Sequence, residues 1–263
     1  MKNAMKRTLA VALCLSVLMG LFAFVPALAA AKQLATPQLP TLASKKSGMQ
    51  IRWKAVSGAE MYRVYRKAPG ETQWSRAGDT TELSLIDKKV ESGKAYSYTI
   101  RCVSKDGKTN MSDFDRTGKT GTFIATPVLK SVSNTSSGVK VTWTECAGAK
   151  KYRIYRKTAN TAWEIVGHTK KLAFTDTTAA VGKTYWYTVR CETADGSKPT
   201  SWFDNTGKKI TYAHYILNTK SMKFHYDWCG SAHTISAANY AESYEARSVL
   251  IKKGYAPCGN CQP

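Results

Sequence analysis

Two short pairs of metal-binding residue types lie within the last forty residues of the chain: His225-x3-Cys229 and Cys258-x2-Cys261. Three thiols and one imidazole in two tight pairs give the donor count of a closed tetrahedral zinc site. A spacing of two or three residues lets one turn present both donors of a pair to a single ion. The chain between the pairs must then return to complete the tetrahedron. From about Tyr215 to Pro263 the segment is too short to build much of a core, and modules of this size usually need a metal, disulfides or a partner. The four residues therefore point to holding a fold together, with Zn2+ as a structural ion, rather than to catalysis. The competing reading is oxidation, with Cys258 bonded to Cys261 or one of them to Cys229. It leaves one thiol over and makes the histidine spacing a coincidence. His233 is close but off register and reads as a surface residue or a neighbour of the ligands.

The elements that must position these donors can be read locally. Ile216-Leu217 and Lys223-Phe224-His225 form two short strands around a turn. Ser243 is expected to cap a helix running to about Lys253, with Ala246, Val249 and Leu250 on its apolar side. Lys252 and Lys253 complement the helix C-terminus and Gly254 suits the residue after it. Tyr255-Ala-Pro257 then feeds the second pair.

Tyr-Ile-Leu-Asn at 215–218, Phe224-His225, Cys229 and the run Gly254-Tyr255-Ala-Pro257-Cys258-x-x-Cys261 together resemble the Ada-type metal-binding module. In particular the segment is similar to the version found at the C-termini of secreted bacterial proteins. The resemblance covers about the last fifty residues and implies a zinc fold. In the DNA-repair member of that family a cysteine fills the first ligand position and accepts a methyl group from a DNA phosphate. Here that position is His225, and a zinc-bound imidazole is a poor nucleophile beside a zinc thiolate. The resemblance therefore implies the metal and not the alkyl transfer.

Upstream lies a tandem repeat. Gly48–Trp74 and Gly138–Trp163 align, as do AYSYTIRCVSKDGK with TYWYTVRCETADGS and FDRTGK with FDNTGK. The offset of about ninety residues is the size of a β-sandwich domain. Met49, Ile51 and Trp53 alternate with Gln50 and Arg52, and Tyr96, Tyr98, Ile100 and Cys102 alternate again, which is the period of a half-buried strand. Trp53 and Trp143, Tyr62-x-Val64-Tyr65-Arg66 and Tyr152-x-Ile154-Tyr155-Arg156, and Tyr98-x-Ile100 and Tyr187-x-Val189 resemble fibronectin type III domains, with Pro37 and Pro127 ahead of the first strands. That resemblance runs from about Thr36 to Tyr212. It implies the fold and says little about function, because the fold hosts spacers, adhesins and carbohydrate-linked modules alike.

Several residues have a plain structural reading. Trp53, Trp143, Tyr98 and Tyr187 fall on the inward phase and belong to cores. Cys102 and Cys191 occupy matched inward positions as small hydrophobes. Cys146, where the first repeat has Val56, could bridge to Cys191, a bond without a counterpart in the first repeat. Asp87 with Asp176, and Asp106 with Asp195, match between repeats and fit turn chemistry. Trp74, Trp163 and Trp202 are less constrained and could be exposed. If an aromatic contact surface exists, Tyr226 and Trp228, between two ligands, are the first place to look.

No catalytic constellation emerges. Gly-x-Ser-x-Gly, His-Glu-x-x-His, phosphate-loop and paired-acid motifs are missing from the sequence. His168 and His214, the remaining two of the four histidines, have no partner pattern. Four protein donors leave a zinc ion no open position for water.

The N-terminus carries Lys2, Lys6 and Arg7, then an apolar run from Leu9 to about Val25, closed by Ala27-Leu28-Ala29. These are the parts of a signal peptide. The alternative is a retained anchor, since the run could almost span a bilayer. Cleavage near Ala30 would leave a secreted chain with no further membrane-crossing segment, and Cys14 would go with the leader. The chain carries a net charge of +21, and loss of Lys2, Lys6 and Arg7 leaves +18. Such a charge attracts polyanions. From His214 onward there are only five Lys/Arg against three Asp/Glu, so the surplus belongs to the repeats.

The expected organisation is a mainly β chain: a signal peptide over 1–30, fibronectin type III-like sandwiches over 31–124 and 125–213, and a small α+β zinc module over 214–263. Its ligands are His225, Cys229, Cys258 and Cys261. The expected function is a secreted, non-enzymatic surface or extracellular binding protein. The alternative is a binder of an anionic wall polymer, a glycan or DNA through the basic sandwich surfaces.

Overall fold

Alternating strands with an apolar face can bury that face only against another sheet, and the chain does this twice. The computed structural model describes residues 33–38 and 41–263. The expected signal peptide, with Cys14, lies outside the described residues. In the first sandwich β1 (Thr41–Lys45), β2 (Gly48–Arg52) and β5 (Ser84–Asp87) form one antiparallel sheet in the order β1-β2-β5. Facing it are β3 (Met61–Lys67), β4 (Ser75–Thr80), β6 (Ala95–Val103) and β7 (Lys119–Thr122), in the order β4-β3-β6-β7. The second sandwich repeats the plan. It has β8 (Leu129–Thr135), β9 (Gly138–Trp143) and β12 (Ala173–Asp176) in one sheet, and β10 (Lys151–Lys157), β11 (Glu164–Thr169), β13 (Thr184–Glu192) and β14 (Lys208–Thr211) in the other. Seven strands in a three-plus-four arrangement, with this order in both copies, are fibronectin type III-like sandwiches.

The inward phase read from the sequence is the observed one. Met49, Ile51 and Trp53 meet Tyr62, Val64, Tyr96, Tyr98, Ile100 and Cys102 in the first core. Val139, Val141 and Trp143 meet Tyr152, Ile154, Tyr185, Tyr187, Val189 and Cys191 in the second. A tyrosine at the start of the sixth strand turns back to the corner before it. The Glu91 N–H donates to the Tyr96 hydroxyl at 2.9 Å, and the Ala180 N–H to the Tyr185 hydroxyl at 3.1 Å. This is the corner tie of such sandwiches.

The matched aspartates hold turns as expected: Asp106 and Asp195 accept from the Lys108 and Ser197 N–H groups, and Asp87 and Asp176 from the Lys89 and Thr178 N–H groups. Asp87 and Asp176 also end strands and are 4% and 1% exposed. Each accepts from a buried phenol, Tyr98 at 3.0 Å and Tyr187 at 2.8 Å, and from Arg66 or Arg156. A carboxylate buried this deeply persists because it is paired and hydrogen-bonded. The tryptophans differ from expectation. Trp74 and Trp163 are half-buried over Gly118 and Gly207, with Lys67 and Lys157 against their rings at 4.4 and 5.1 Å. Trp202 is half-buried too. Cys102, Cys146 and Cys191 are buried free thiols, so no Cys146–Cys191 bridge is present.

The sandwiches meet at backbone. A Cβ on Gly148 would lie 2.6 Å from the Cα of Gly93, and the Ser92 hydroxyl donates to the Ala147 carbonyl at 2.8 Å while accepting from the Ala125 N–H. After β14 comes a third sheet of β15 (Tyr215–Asn218), β16 (Lys223–His225), β17 (Tyr240–Ser243) and β18 (Ala256–Pro257), in the order β17-β15-β16-β18, with one helix, α1 (Arg247–Lys252). Among the described residues no helix is long and apolar enough to cross a membrane.

Candidate metal centre

Strand parity places the ligands. On β15, Tyr215 and Leu217 face one side and Ile216 the other. Ile216 pairs with His225 and Leu217 with Phe224 across the antiparallel β15–β16 ladder, so Phe224 joins the first side and His225 the second. The first side is a small hydrophobic core, where Tyr215, Leu217 and Phe224 pack on Leu250 of α1. The second side holds Ile216, Cys229, Ala232 and Cys258.

The remaining donors arrive by turns and by one parallel pairing. After His225 the chain folds back, with the Cys229 N–H donating to the Tyr226 carbonyl at 3.1 Å and the Ala232 N–H to the Cys229 carbonyl at 2.8 Å. The second pair comes by way of β18, which runs parallel to β16 with Phe224 opposite Pro257. The next step along both strands sets Cys258 beside His225, and the Cys258 N–H donates to the Phe224 carbonyl at 3.0 Å. A parallel neighbour needs a crossover, and α1 supplies it.

That helix starts later than expected. Its N-cap is Ala246, with no side-chain cap, and Ser243 ends β17, where its hydroxyl accepts from the Glu245 N–H at 3.2 Å. Leu250 is buried, whereas Val249 is exposed and not part of the apolar face. Gly254, with φ of 88°, takes the left-handed conformation that ends the helix and turns the chain into β18.

The four donor atoms of His225, Cys229, Cys258 and Cys261 lie within 4.8 Å of one another, and the first three residues are buried. No cysteine of this group is in a disulfide. The His225 Nδ1 and Cys229 Sγ are 3.6 Å apart. A tetrahedral ion bonded at about 2.3 Å to sulfur and about 2.0–2.1 Å to nitrogen has an S···N edge of about 3.6 Å. The donor set and this edge therefore fit a four-coordinate metal.

The electrostatics ask for a cation as well. Burial, with the Lys223 charge nearby, holds His225 below its ordinary value, which keeps the imidazole neutral and able to donate a lone pair. Burial pushes the Cys261 thiol up to about 11, with the Cys229 and Cys258 sulfurs adding to the rise. Burial also opposes ionisation of Cys258, but the N–H groups of Cys261 and Asn260 and the Cys261 and Cys229 thiols outweigh it and lower that group. Three sulfurs this close cannot all ionise without a positive charge among them.

Of the other residues singled out, His233 is exposed and outside the cluster, as the spacing suggests. Trp228 is 67% exposed and stacks on Tyr226, with ring centroids 5.4 Å apart. His214 stacks on Tyr244 and meets Glu242 at 3.3 Å. His168 contacts Glu192 at 2.8 Å, and that buried carboxylate is also held by Arg153 at 2.8 Å. In the first sandwich Arg63 has its carboxylate on Asp79, the position that His168 takes in the second. This acid cluster is a relocated ion pair, and sequence reading missed it because its members are 15 to 39 residues apart and meet only through the β11-β10-β13 pairing.

No protein-family model matches the chain. A poly(3-hydroxybutyrate) depolymerase of Ralstonia pickettii is 28% identical over 167 residues, which is 59% of this chain and 32% of that protein. The chain thus spans about a third of the length of the curated relative it matches. Among solved structures, the FN1–FN3 domains of chicken CNTN1 align over 68% of this chain and 67% of theirs, at 18% identity and a TM-score of 0.35. A two-domain fibronectin type III segment of chicken tenascin aligns over 68% of this chain and 99% of its own, at 14% identity and a TM-score of 0.34. The assignment of the sandwiches rests on their strand order and register.

Proposed function

We propose that the chain is a secreted, non-enzymatic surface or extracellular binding protein whose sandwiches serve as spacer and binding modules and whose tip is closed by a structural zinc ion. The observation that carries the reading is the largely buried His225–Cys229–Cys258–Cys261 cluster, which sits beside Ile216 and Ala232 on one face of the last sheet. Sulfur-rich tetrahedral donor sets favour zinc over hard cations. Four protein donors fill the coordination sphere, so the ion supplies fold stability and binds no water for hydrolysis. His225 through Nδ1 and the three sulfurs would hold it. The spacing and the Gly254-Tyr255-Ala-Pro257 approach support an Ada-type module, with alkyl transfer left out because the first donor is an imidazole. The depolymerase likeness spans 32% of that enzyme, and no Gly-x-Ser-x-Gly motif occurs here, so hydrolysis is not part of the proposal.

A second reading, attraction to polyanions, is favoured by the net charge of +21 and its concentration in the sandwiches. The first test is metal content with a free-thiol count on protein purified under reducing conditions. One zinc per chain, lost together with C-terminal protease resistance on chelation, is the expected result. Metal-free protein with oxidised C-terminal thiols would overturn the zinc tip. Secretion is tested separately, by sequencing the N-terminus of protein from culture medium. A start near Ala30 supports it, and confinement of the full chain to the cell body defeats it.

A further inference from the structure

The two sandwiches share one strand order, which makes a single exchange between them informative. In the first, Arg101 on β6 stands opposite Arg63 on β3, covers the Phe114 ring at 4.7 Å and meets the Asp113 carboxylate at 3.4 Å. In the second, Arg190 on β13 stands opposite Arg153 on β10 and covers the Phe203 ring at 5.3 Å. The backbone fixes the correspondence. The Ser112 hydroxyl accepts from the Cys102 N–H and donates to the Asp113 carbonyl, and the Ser201 hydroxyl does the same with the Cys191 N–H and the Trp202 carbonyl. Trp202 therefore stands where the first sandwich has the counter-ion. Arg190 is left with the Ser201 carbonyl, at 3.0 and 2.9 Å, and no carboxylate among the described residues.

The indole that replaces the acid meets a second cation. Lys45, from β1 of the first sandwich, puts its Nζ 3.9 Å from the centre of the Trp202 ring. Lys45 also has no carboxylate partner among the described residues. Lys45, Arg190 and Trp202 line one cavity of about 330 Å3, and no Asp or Glu lines it. Thr122 and Thr200 are among the residues of its wall, with Leu42 and Met49 as an apolar flank. Burial lowers the Arg190 guanidinium below its ordinary value, against the raising influence of the Tyr155 hydroxyl, and the Arg153 charge adds to the lowering. A half-buried guanidinium without a counter-ion is costly, and the cost falls when an anion enters.

We infer that this inter-sandwich cavity binds a carboxylated sugar, a uronic-acid residue of an acidic polysaccharide. Arg190, whose Nε and Nη2 share the Ser201 carbonyl, supplies a positive charge toward a carboxylate, Lys45 adds a point charge, the threonines pair with sugar hydroxyls, and Trp202 with the apolar flank takes the C–H face of the ring. The volume, at the small end of ligand pockets, suits one ring rather than a packed strand of polymer. The inference rests on the non-catalytic binding reading and gives it a ligand class.

The test is titration calorimetry of the full chain, in 0.15 M NaCl, with tetragalacturonate, neutral galactotetraose and inorganic polyphosphate. One tetragalacturonate should bind per chain while galactotetraose gives no heat. Lys45→Gln and Trp202→Asp, the latter restoring the acid of the first sandwich, should each weaken tetragalacturonate at least tenfold. Lys209→Gln, outside the cavity, should change it less than twofold. Thermal unfolding of each variant shows that it is folded, and Lys45→Gln removes no buried group, so it keeps the test decisive if Trp202→Asp unfolds. Tetragalacturonate binding that ignores both variants overturns the site but leaves a general polyanion binder. Polyphosphate binding that is lost in both variants, with none of tetragalacturonate, overturns the sugar. Failure of every probe overturns the site and the polyanion reading together.

Discussion

The sandwiches and the C-terminal sheet solve the same problem in opposite ways. Each sandwich closes two sheets on each other and fills the space with Trp, Tyr, Ile and Val, all supplied by strand parity. The last sheet has no second sheet to face. One of its sides takes Leu250 from a six-residue helix, and the other takes the four metal donors. About ninety residues can afford a core, whereas about fifty must borrow one. On the proposed reading the fold of the tip depends on a bound metal, whereas the sandwiches carry their own cores.

The sharpest way to break this comparison is His225→Ala. It should unfold the tip and leave both sandwiches cooperative, as read by proteolysis and calorimetry; a tip that stays protease-resistant would show that the metal is dispensable. Next in size is a core truncation. Trp53→Ala or Trp143→Ala should cost about 3–5 kcal/mol in its own sandwich while leaving metal content at one per chain. Loss of metal from either variant would mean that tip and sandwich fold as one unit. A smaller effect is expected at the corner: Tyr96→Phe and Tyr185→Phe should each cost about 1 kcal/mol by denaturant titration, equal in the two copies. A clear inequality would show that the repeats diverge beneath their shared plan.

The smallest effect separates the sandwiches from each other. The Arg63 hydrogen bond, with the charges of Arg63 and Arg76, lowers Asp79 below its ordinary value against the raising effect of burial. A lowered carboxyl stabilises the fold above its unfolded value of about 3.9 and loses that contribution as pH falls through the folded one. Asp79→Asn should therefore flatten the acid limb of the first sandwich's stability curve below about pH 4. An unchanged limb would remove Asp79 from the account.

What could be read from sequence follows the range of the interactions. Parity along β2 and β6 exposed the cores because each residue's own neighbours carry the signal. The metal donors were legible because each pair sits on one turn. β17 and β18 were not: Tyr240–Ser243 lacks alternation, and Ala256–Pro257 is a two-residue strand whose pairing with β16 is remote in sequence. The helix start shifted from Ser243 to Ala246 because Ser243 is engaged as the end of β17. Burial of Asp87 and Asp176 depends on Tyr and Arg side chains 11 to 21 residues away, beyond any local pattern. The cavity between the sandwiches requires Lys45 and Trp202 to meet, which no single repeat contains.

The joint at Gly93 and Gly148 has a mechanical consequence. A side-chain contact such as Lys45 over Trp202 can yield by rotation, but at these glycines main chain meets main chain with the Ser92 hydroxyl bridging two backbone groups. Such a seat resists compression and shear, and comes apart only when those hydrogen bonds break. Under a bending load the pair should behave as a stiff elbow with a threshold, holding its angle up to a certain force and then giving way in one step. A methyl group at Gly148, 2.6 Å from the Gly93 Cα, would wedge the seat apart and loosen the elbow.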